Sequence, residues 1–452
     1  MTDSLGAALA PKAGVLPAYT DRSRLRLLTG TLLYLAQGLA QGLFFVAIPS
    51  WLAVNGQPVG AIGSFVAAIS LPWSLKFFIG AIVDRYAFLP MGRRRAWLVA
   101  AQTCLIISLI AFAIRSPLPS ELATIIIFGT ALSAMTAVQD VALDAMIIDL
   151  TPKNELGKIN AFMLGGKSAG LAGGAALVAY FLEYQSFAAA MIATACLFAV
   201  PAFAAILIRE RPGEKLFPWS DGETSIQSRD AKPDAWWPVL RETLRVLLRR
   251  DPLLIIGLCI FYGMHQGIIE ATMPAFAAQE MQWGETRYAS LAGIGYLISG
   301  AAGFLVGGWA TDKLGPAKLG YWTSGIVACI ITLFIFVALE STTNWFFSSW
   351  YLFYGTIVFG FYLCMVTLGM RVCEEHVAAT SYALMMGSMA LGMMLGAGSA
   401  GYLDQIGGYA ALLTATIVTI LASAAMGLGL SRATGGPAAS DPLDQAGSAP
   451  PI

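Results

Sequence analysis

The sequence is poor in charged residues and in histidine, which limits what the protein can be. Asp, Glu, Lys and Arg together make up 12% of the 452 residues, against about 25% in soluble globular chains. The six cysteines form no CxxC pair and there are only two histidines, which argues against a zinc site or a disulfide framework. Acidic and basic residues balance at 27 each, so net charge favours no nucleic-acid partner. Since no Ser-His-Asp or HExxH arrangement is present, we predict neither an enzyme nor a cofactor.

What the chain has in abundance is long apolar segments, and hydrophobic residues are 57% of the total. Crossing a hydrocarbon core takes about 20 helical residues. Segments of that length begin near residues 25, 60, 96, 120, 158, 185, 252, 287, 319, 345, 379 and 409. A barrel would need alternating ten-residue patterns, which are absent, so backbone groups in lipid must be satisfied within helices. We predict an all-α membrane protein with twelve transmembrane helices in two pseudo-symmetric six-helix halves.

Polar segments divide the chain. The predicted divisions are a cytoplasmic N-terminal tail (1–24), an N-terminal six-helix half (25–208), a cytoplasmic linker (209–250), a C-terminal six-helix half (251–431) and a disordered C-terminal tail (432–452). The end of the linker, 236–250, mixes Trp and Leu with Arg, as an amphipathic helix on an anionic membrane surface does; a solvated connector is the alternative. Most bases outside the helices lie on the side of the linker and termini, which the positive-inside rule places in the cytoplasm.

A charged hairpin joins predicted helices 2 and 3, and Asp312 repeats Asp84 of this hairpin in the second half of the chain. Asp84 is unfavourably placed at the C-terminal end of its helix. We therefore expect the N-terminus of helix 11 near Thr380 and an arginine of the hairpin to compensate it, with Asp149 binding Arg93. These contacts would form a conformational latch on the cytoplasmic side. The predicted latch residues are Gly80, Asp84, Arg85, Gly92, Arg93, Arg94, Asp149, Asp312 and Gly315.

Ionisable residues inside apolar segments are costly and therefore informative. Asp140 and Asp144 share one face of predicted helix 4 because they are four residues apart. Counting along the helices puts Lys167 level with Asp140, and Lys76 level with Asp144, which predicts these two ion pairs. Such a cluster suits proton coupling, although static pairs that hold helices together would give the same pattern. The predicted proton-coupling residues are Asp140, Asp144, Lys167, Lys76 and Glu270.

A second polar set indicates a substrate site. Gln37 and Gln41 lie on one face of predicted helix 1, and the sequence shift that takes Asp84 to Asp312 also takes Gln37 to His265 in predicted helix 7. Hydrogen bonds that only pack helices are the alternative. The predicted substrate-binding residues are Gln37, Gln41, Tyr34, Gln139, His265, Gln266 and Arg371. This mixture suits a polar, partly anionic organic solute better than an inorganic ion.

The hairpin, its repeat and the helix layout resemble the major facilitator superfamily. In the first hairpin Gly92 follows Asp84 by eight residues and opens a GRRR group, and QDVALDAMIID spans 139–149. Both features are similar to the peptide and acetyl-CoA transporter branch that contains the AmpG-like muropeptide permeases. The resemblance implies a monomeric secondary transporter of the bacterial inner membrane that works by alternating access. Its expected partners are a small-molecule substrate, protons and the lipid bilayer.

Within this resemblance, proton-coupled uptake of a muropeptide-like solute is the expected function. Three alternatives remain: a siderophore importer of the same branch, a glycoside-cation symporter, whose hairpin also carries an elongated GRRR loop, and a pigment or assembly factor that keeps the fold without transport.

Overall fold

The computed structural model describes residues 17–152, 154–226, 241, 245, 248–341, 343–372 and 378–433. Long helices dominate this part of the chain. In chain order they are α1 (Ser23–Val54), α2 (Val59–Ser74 and Lys76–Arg85), α3 (Arg95–Arg115), α4 (Leu122–Leu150), α5 (Leu156–Tyr184), α6 (Phe187–Leu207), α7 (Arg250–Gln279), α8 (Glu285–Ala302, then Gly303–Gly307 and Gly308–Leu314), α9 (Pro316–Ser341), α10 (Asn344–Val372) and α11 (Ala378–Ala433).

These helices match the predicted apolar segments. Among the described residues, ten helices are long and apolar enough to cross a membrane, and the bent α2 would be an eleventh. Each begins within three residues of its predicted start; α7, for example, begins at Arg250 against a predicted 252. The prediction of a multi-pass, all-α membrane protein is therefore confirmed.

The last helix, α11, is interrupted in its middle. Its 56 residues contain two glycines with non-helical backbone angles, Gly407 (φ −161°) and Gly408 (φ 56°). Glycine reaches a positive φ without the steric cost that other residues meet. We call the parts before and after this break the first arm (378–406) and the second arm (409–433). The break lies where the sequence predicts that one helix ends and another begins at 409.

Helix α2 bends by 41° between its two segments. Pro72 lies in the last turn of the first segment, and Leu75 leaves the helical region at φ −94° and ψ 7°. Proline removes a backbone donor and its ring displaces the preceding turn, so a bend here is expected. The bend places Lys76 at the start of the second segment.

The bundle has two ends, which we name by their loops. The linker face carries the hairpin 86–94, the loop 151–155 and the linker residues 208–226, and there Tyr19 donates its backbone N–H to the Arg209 carbonyl at 2.7 Å. The far face carries the opposite loops, 55–58, 116–121, 185–186 and 280–284.

The same close helix contact occurs twice in the chain. Gly38 and Gly42 of α1 lie against the backbone of α5, and Gly263 and Gly267 of α7 lie against the backbone of the first arm of α11. Small residues let helix backbones approach this closely. One sequence shift takes both glycines of α1 to their counterparts in α7, and we call this shift the glycine register.

The glycine register changes one predicted correspondence. It relates Gln37 to Tyr262 and Gln41 to Gln266, whereas the shift between the two hairpins relates Gln37 to His265. The hairpin shift is three residues longer because the loop between α7 and α8 is one residue longer than that between α1 and α2, and Asp312 lies two residues further along its helix than Asp84 does. It therefore does not hold inside α1 and α7.

Two seams join α1–α6 to the later helices, and both are tight near the far face. In one, Gly60 and Gly63 of α2 meet Gly401 and Ala397 of the first arm of α11; in the other, α5 packs along α8. The second segment of α2 makes much sparser contact with α11 than the first does. Among the described residues, contact between the two sets of helices is therefore dense near the far face and sparser toward the linker face.

Hydrogen bonds reinforce closure at the far face. Thr286, in the first turn of α8, donates its backbone N–H to the Glu183 carboxylate at the end of α5 (2.8 Å). Gln279 of α7 donates to the Gln57 carbonyl (3.2 Å) and accepts from the Tyr409 hydroxyl (3.0 Å).

Some predictions fall outside the described residues. Most of the predicted amphipathic helix at 236–250, the tail up to residue 16 and the tail from 434 onward belong to this group.

Candidate functional site

A buried ion pair lies in the middle of the first helices. Lys76, at the bend of α2, pairs with Asp140 of α4, and Gln37 of α1 donates its side-chain amide to the other carboxylate oxygen. Asp140 is 4% exposed and Gln37 is 1% exposed. Trp73 lies beneath the ammonium group, with its ring centroid 5.2 Å from Lys76 Nζ. The Asp140 carboxylate therefore has both a cationic and a neutral donor.

The second carboxylate of α4 has a different partner. Tyr34 of α1 donates its hydroxyl to Asp144, and both side chains are half-buried. Since this donor is neutral, the charge of Asp144 is not compensated by an ion pair within the described residues. The two carboxylates thus share a helix face but differ in electrostatic surroundings.

The predicted ion pairs were wrong in their partners. Lys76 pairs with Asp140 and not with Asp144, and within the described residues no carboxylate oxygen lies within 4.0 Å of Lys167 Nζ. The reason is the position of the helix ends. Because α2 continues to Arg85 and α4 to Leu150, Lys76 and Asp140 lie about 14 and 15 Å from those ends at 1.5 Å per residue.

Lys167 of α5 lies about 17 Å from the start of its helix at the same rise per residue. It is half-buried and remains within electrostatic range of Asp140, Asp144 and Lys76. Since none of the ion pairs among the described residues includes Lys167, its ammonium group is available to bind an anion.

The opposite wall is formed by α7, α8 and α10 and is rich in tyrosine. Glu270 of α7 is half-buried and accepts a hydrogen bond from the Tyr296 hydroxyl of α8 at 2.9 Å. Tyr362 of α10 is within electrostatic range of Lys76, Asp140 and Tyr34. We call the space between the two walls the central cavity. Its half-buried polar residues are Tyr34, Gln41, Lys76, Asp144, Lys167, Gln266, Glu270, Tyr296, Tyr351 and Tyr362.

Two predicted substrate-binding residues are fully buried and have protein partners. His265 contacts the Thr416 carbonyl through Nδ1 (3.0 Å) and the Tyr354 hydroxyl through Nε2 (2.7 Å). Gln139 donates to the Leu33 carbonyl at 2.9 Å, which ties α4 to α1. In this conformation both side chains connect helices and do not face the cavity.

The other predicted substrate residues are divided. Gln41 and Gln266 are half-buried in the cavity walls, and the glycine register relates them to each other. Arg371 lies one residue before the end of α10, but its side chain is outside the described part of the structure. The same holds for the side chains of Asp312 and Thr380.

The first charged hairpin forms an ion-pair cluster around Arg94. Its guanidinium group pairs with Asp84 and lies 3.5 Å from Asp149. The prediction that Arg93 binds Asp149 was therefore wrong. Arg94 directly precedes α3 and is buried, with 6% exposure. Asp84 is 53% exposed in its side chain, and its predicted contact with the start of α11 stays a prediction.

Other predicted latch residues lie where the chain turns or packs. Gly92 has φ 96° and Gly315 has φ 79°. A Cβ atom on Gly92 would lie 2.5 Å from Cδ of Glu210, so both this close contact and the positive φ require glycine there. Gly80 faces Val141 of α4, whereas Arg85 is exposed beside the ring of Tyr86.

Sequence reasoning missed several residues. Glu210 accepts backbone N–H groups from Arg93, Arg94 and Arg95 (3.0, 2.6 and 2.5 Å). Burial raises the pKa of the Glu210 carboxyl, although these hydrogen bonds lower it. Its place three residues after the end of helix α6 gave no signal, because the contact joins parts of the chain that are far apart in sequence. Tyr296 and Tyr362 were missed because aromatic residues are common in apolar helices.

The described residues contain no cluster of three or more His, Cys, Asp or Glu able to hold a metal ion. The site offers carboxylates, ammonium groups, amides and phenols, which can bind an organic solute and exchange protons.

Comparison with known proteins adds a family. The family model described as Major Facilitator Superfamily matches residues 30–397. A putative transporter AmpG 4 of Rickettsia felis is 25% identical over 371 residues, which cover 80% of this chain and 85% of that protein. The anhydromuropeptide permease of Escherichia coli K12 is 29% identical over 144 residues, which cover 31% of this chain and 29% of the permease. This match therefore spans less than a third of the permease.

Among solved structures, the nucleoside transporter NupG has a TM-score of 0.67 at 11% identity, over 91% of this chain and 99% of NupG. At this identity the likeness concerns the fold alone.

Proposed function

Because the chain belongs to the major facilitator superfamily, a family of transporters, we propose that it is a secondary transporter that takes up a polar, amphipathic organic solute together with protons. The two arms of α11 then count as separate spans, which gives twelve spans in two pseudo-symmetric halves, 25–208 and 251–431. The repeated contacts of α1 with α5 and of α7 with α11 support this division.

The linker face would lie in the cytoplasm, with both termini there and the protein in the bacterial inner membrane. The excess of Lys and Arg on that side supports this orientation. In the present conformation the cavity would then be open to the cytoplasm and closed on the other side. Alternating access would require the α2–α11 and α5–α8 seams to open near the far face.

One observation carries the proposal: charged residues of α2, α4 and α5 meet in the middle of the bundle, beside a cavity whose opposite wall is tyrosine-rich. Charges are retained at such depth mainly where they bind solutes or relay protons. Amides and phenols suit sugar hydroxyls, and Lys167 suits an anionic group. A muropeptide-like solute has these features, and the similarity to AmpG-named proteins favours it over the other solutes considered.

The test is uptake of a radiolabelled anhydromuropeptide into proteoliposomes with an imposed inward proton gradient. We expect accumulation that a protonophore abolishes, and at least tenfold weaker uptake in Lys167→Ala, since the solute's anionic group loses its cation. Immunoblotting of the proteoliposomes controls for protein incorporation, and exchange at zero gradient measures transport without a driving force. Absence of both accumulation and exchange would refute this substrate.

A further inference from the structure

Two charged side chains on opposite walls of the central cavity have no ion-pair partner in direct contact among the described residues. Lys167 of α5 has no carboxylate oxygen within 4.0 Å, and Glu270 of α7 has no cationic nitrogen within that distance, among the residues that the structure describes. Both side chains are half-buried. Lys76 and Asp140, by contrast, satisfy each other. Lys167 keeps Asp140 and Asp144 within electrostatic range, but neither Lys167 nor Glu270 has an ion-pair partner in direct contact in the described part of the chain. Because a charge without a contacting partner is costly in a low-dielectric interior, a bound solute is a natural source of both contacts.

The two charges lie at different depths. Ser168, next to Lys167, faces Gly300 of α8, where an added Cβ would be 3.4 Å from the Ser168 hydroxyl. Tyr296, four residues closer to the far face on α8, donates its hydroxyl to Glu270. Four residues correspond to about 6 Å along a helix. A solute entering from the linker face therefore passes Lys167 first and meets Glu270 about one helical turn deeper.

The surroundings of Glu270 suit a cation. Tyr296 occupies one carboxylate oxygen at 2.9 Å. Tyr262, Tyr288 and Tyr351 also lie within electrostatic range of this carboxylate. A carboxylate supplies charge, and phenol hydroxyls can accept hydrogen bonds, so an ammonium group could use both. A neutral hydroxyl of the solute would only form hydrogen bonds with these groups and would not compensate the charge of the Glu270 carboxylate.

We propose that the transported solute is zwitterionic, with its anionic group at Lys167 and a primary ammonium group at Glu270. This inference rests on the proposed transport function and assigns Glu270 to solute recognition, whereas the sequence placed it among the proton-coupling residues. Proton coupling then belongs to the Asp140 and Asp144 side of the cavity.

The experiment measures binding to purified full-length protein with three matched probes. The probes are an anhydromuropeptide with a free diaminopimelate amine, its N-acetylated derivative and its carboxyl-amidated derivative. Wild-type protein should bind the free amine at least about tenfold more tightly than the acetylated form, as expected for a desolvated charge pair. Glu270→Gln should remove this preference, and Glu270→Asp should retain part of it.

Lys167→Gln should show the complementary change: it loses the preference for the free carboxylate over the amide but keeps the preference for the free amine. Glu121→Gln is the matched control, because Glu121 lies in the loop before α4 on the far face. It should behave as wild type with all three probes.

The other outcomes are distinct. Equal binding of the free and acetylated amines by wild type overturns the zwitterion and leaves the proposed transport of muropeptides standing. Binding of none of the probes refutes the muropeptide assignment and this inference together. If Glu270→Gln keeps the amine preference but loses proton-driven accumulation of both forms, Glu270 carries protons and the inference is wrong.

Discussion

Arg95 and Glu210 cap each other's helices. Glu210 caps the start of α3, where Arg95 lies, and Arg95 caps the end of α6, which Glu210 follows. Glu210, just after α6, accepts the N–H groups that open α3, including that of Arg95 at 2.5 Å. The Arg95 guanidinium group donates to the carbonyls of Ala205 (3.0 Å) and Ile206 (2.5 Å) at the end of α6. Unsatisfied N–H groups at one helix terminus and carbonyls at another are thus paired across the linker face.

Glu210→Ala should lower the free energy of unfolding by about 2 kcal/mol, since it removes the carboxylate that accepts from two buried N–H groups and one part-buried N–H group. Glu210→Gln should lose less, because its amide oxygen still accepts. Thermal melting in detergent measures both, with Glu223→Gln as the control for an exposed linker glutamate. A melting temperature of Glu210→Ala equal to that of the control would contradict the capping role.

Asp84→Asn should slow transport several-fold while leaving the fold intact. In the present conformation Asp84 is largely exposed and pairs with Arg94 of its own hairpin, so little stability depends on it. Its predicted contact with the start of α11 would form when the linker face closes. Uptake rates in proteoliposomes, with melting temperature as the folding control, test this latch; a wild-type rate in Asp84→Asn would remove it.

Asp140→Asn and Asp144→Asn should both abolish gradient-driven accumulation while exchange continues. They should differ in stability. Asp140→Asn leaves the Lys76 ammonium without its counter-ion and should cost about 3 kcal/mol, whereas Asp144 has only a neutral tyrosine donor. The measurements are accumulation under an imposed proton gradient and thermal melting of each variant. Undiminished accumulation in both variants would place the proton carrier elsewhere.

Glu183→Gln should favour opening of the far face, because it weakens the acceptor that holds the first turn of α8. Gln57→Cys, in a background without native cysteines, reports this opening. We expect the introduced thiol to react several-fold faster with a membrane-impermeant reagent when Glu183→Gln is present. Glu121→Gln, on the same side of the bundle, should leave the rate unchanged, and equal rates in all three proteins would exclude a gating role.

Apolar length and hairpin chemistry determined the architecture. Spans of about 20 apolar residues have few alternatives in a bilayer, and for this reason each helix begins close to its predicted position. The break at Gly407 and Gly408 was also foreseeable, since glycine tolerates the backbone angles that end a helix. Costly charges inside apolar segments also indicated Lys76, Asp140, Asp144 and Lys167, which the structure brings within electrostatic range of one another.

Tertiary structure decided the partners. Lys76 reaches Asp140 because α2 extends to Arg85 and α4 to Leu150, which puts the two residues at the same depth, and the sequence does not mark those helix ends. His265 turns into the core toward Thr416 and Tyr354. The sequence did not predict this, because helical periodicity gives the face on which a residue lies but not the residue that it contacts. Glu210, Tyr296 and Tyr362 each contact or face residues of other helices. Their roles therefore depend on how α3, α6, α7, α8 and α10 pack, and side-chain contacts that no local sequence pattern encodes set this packing.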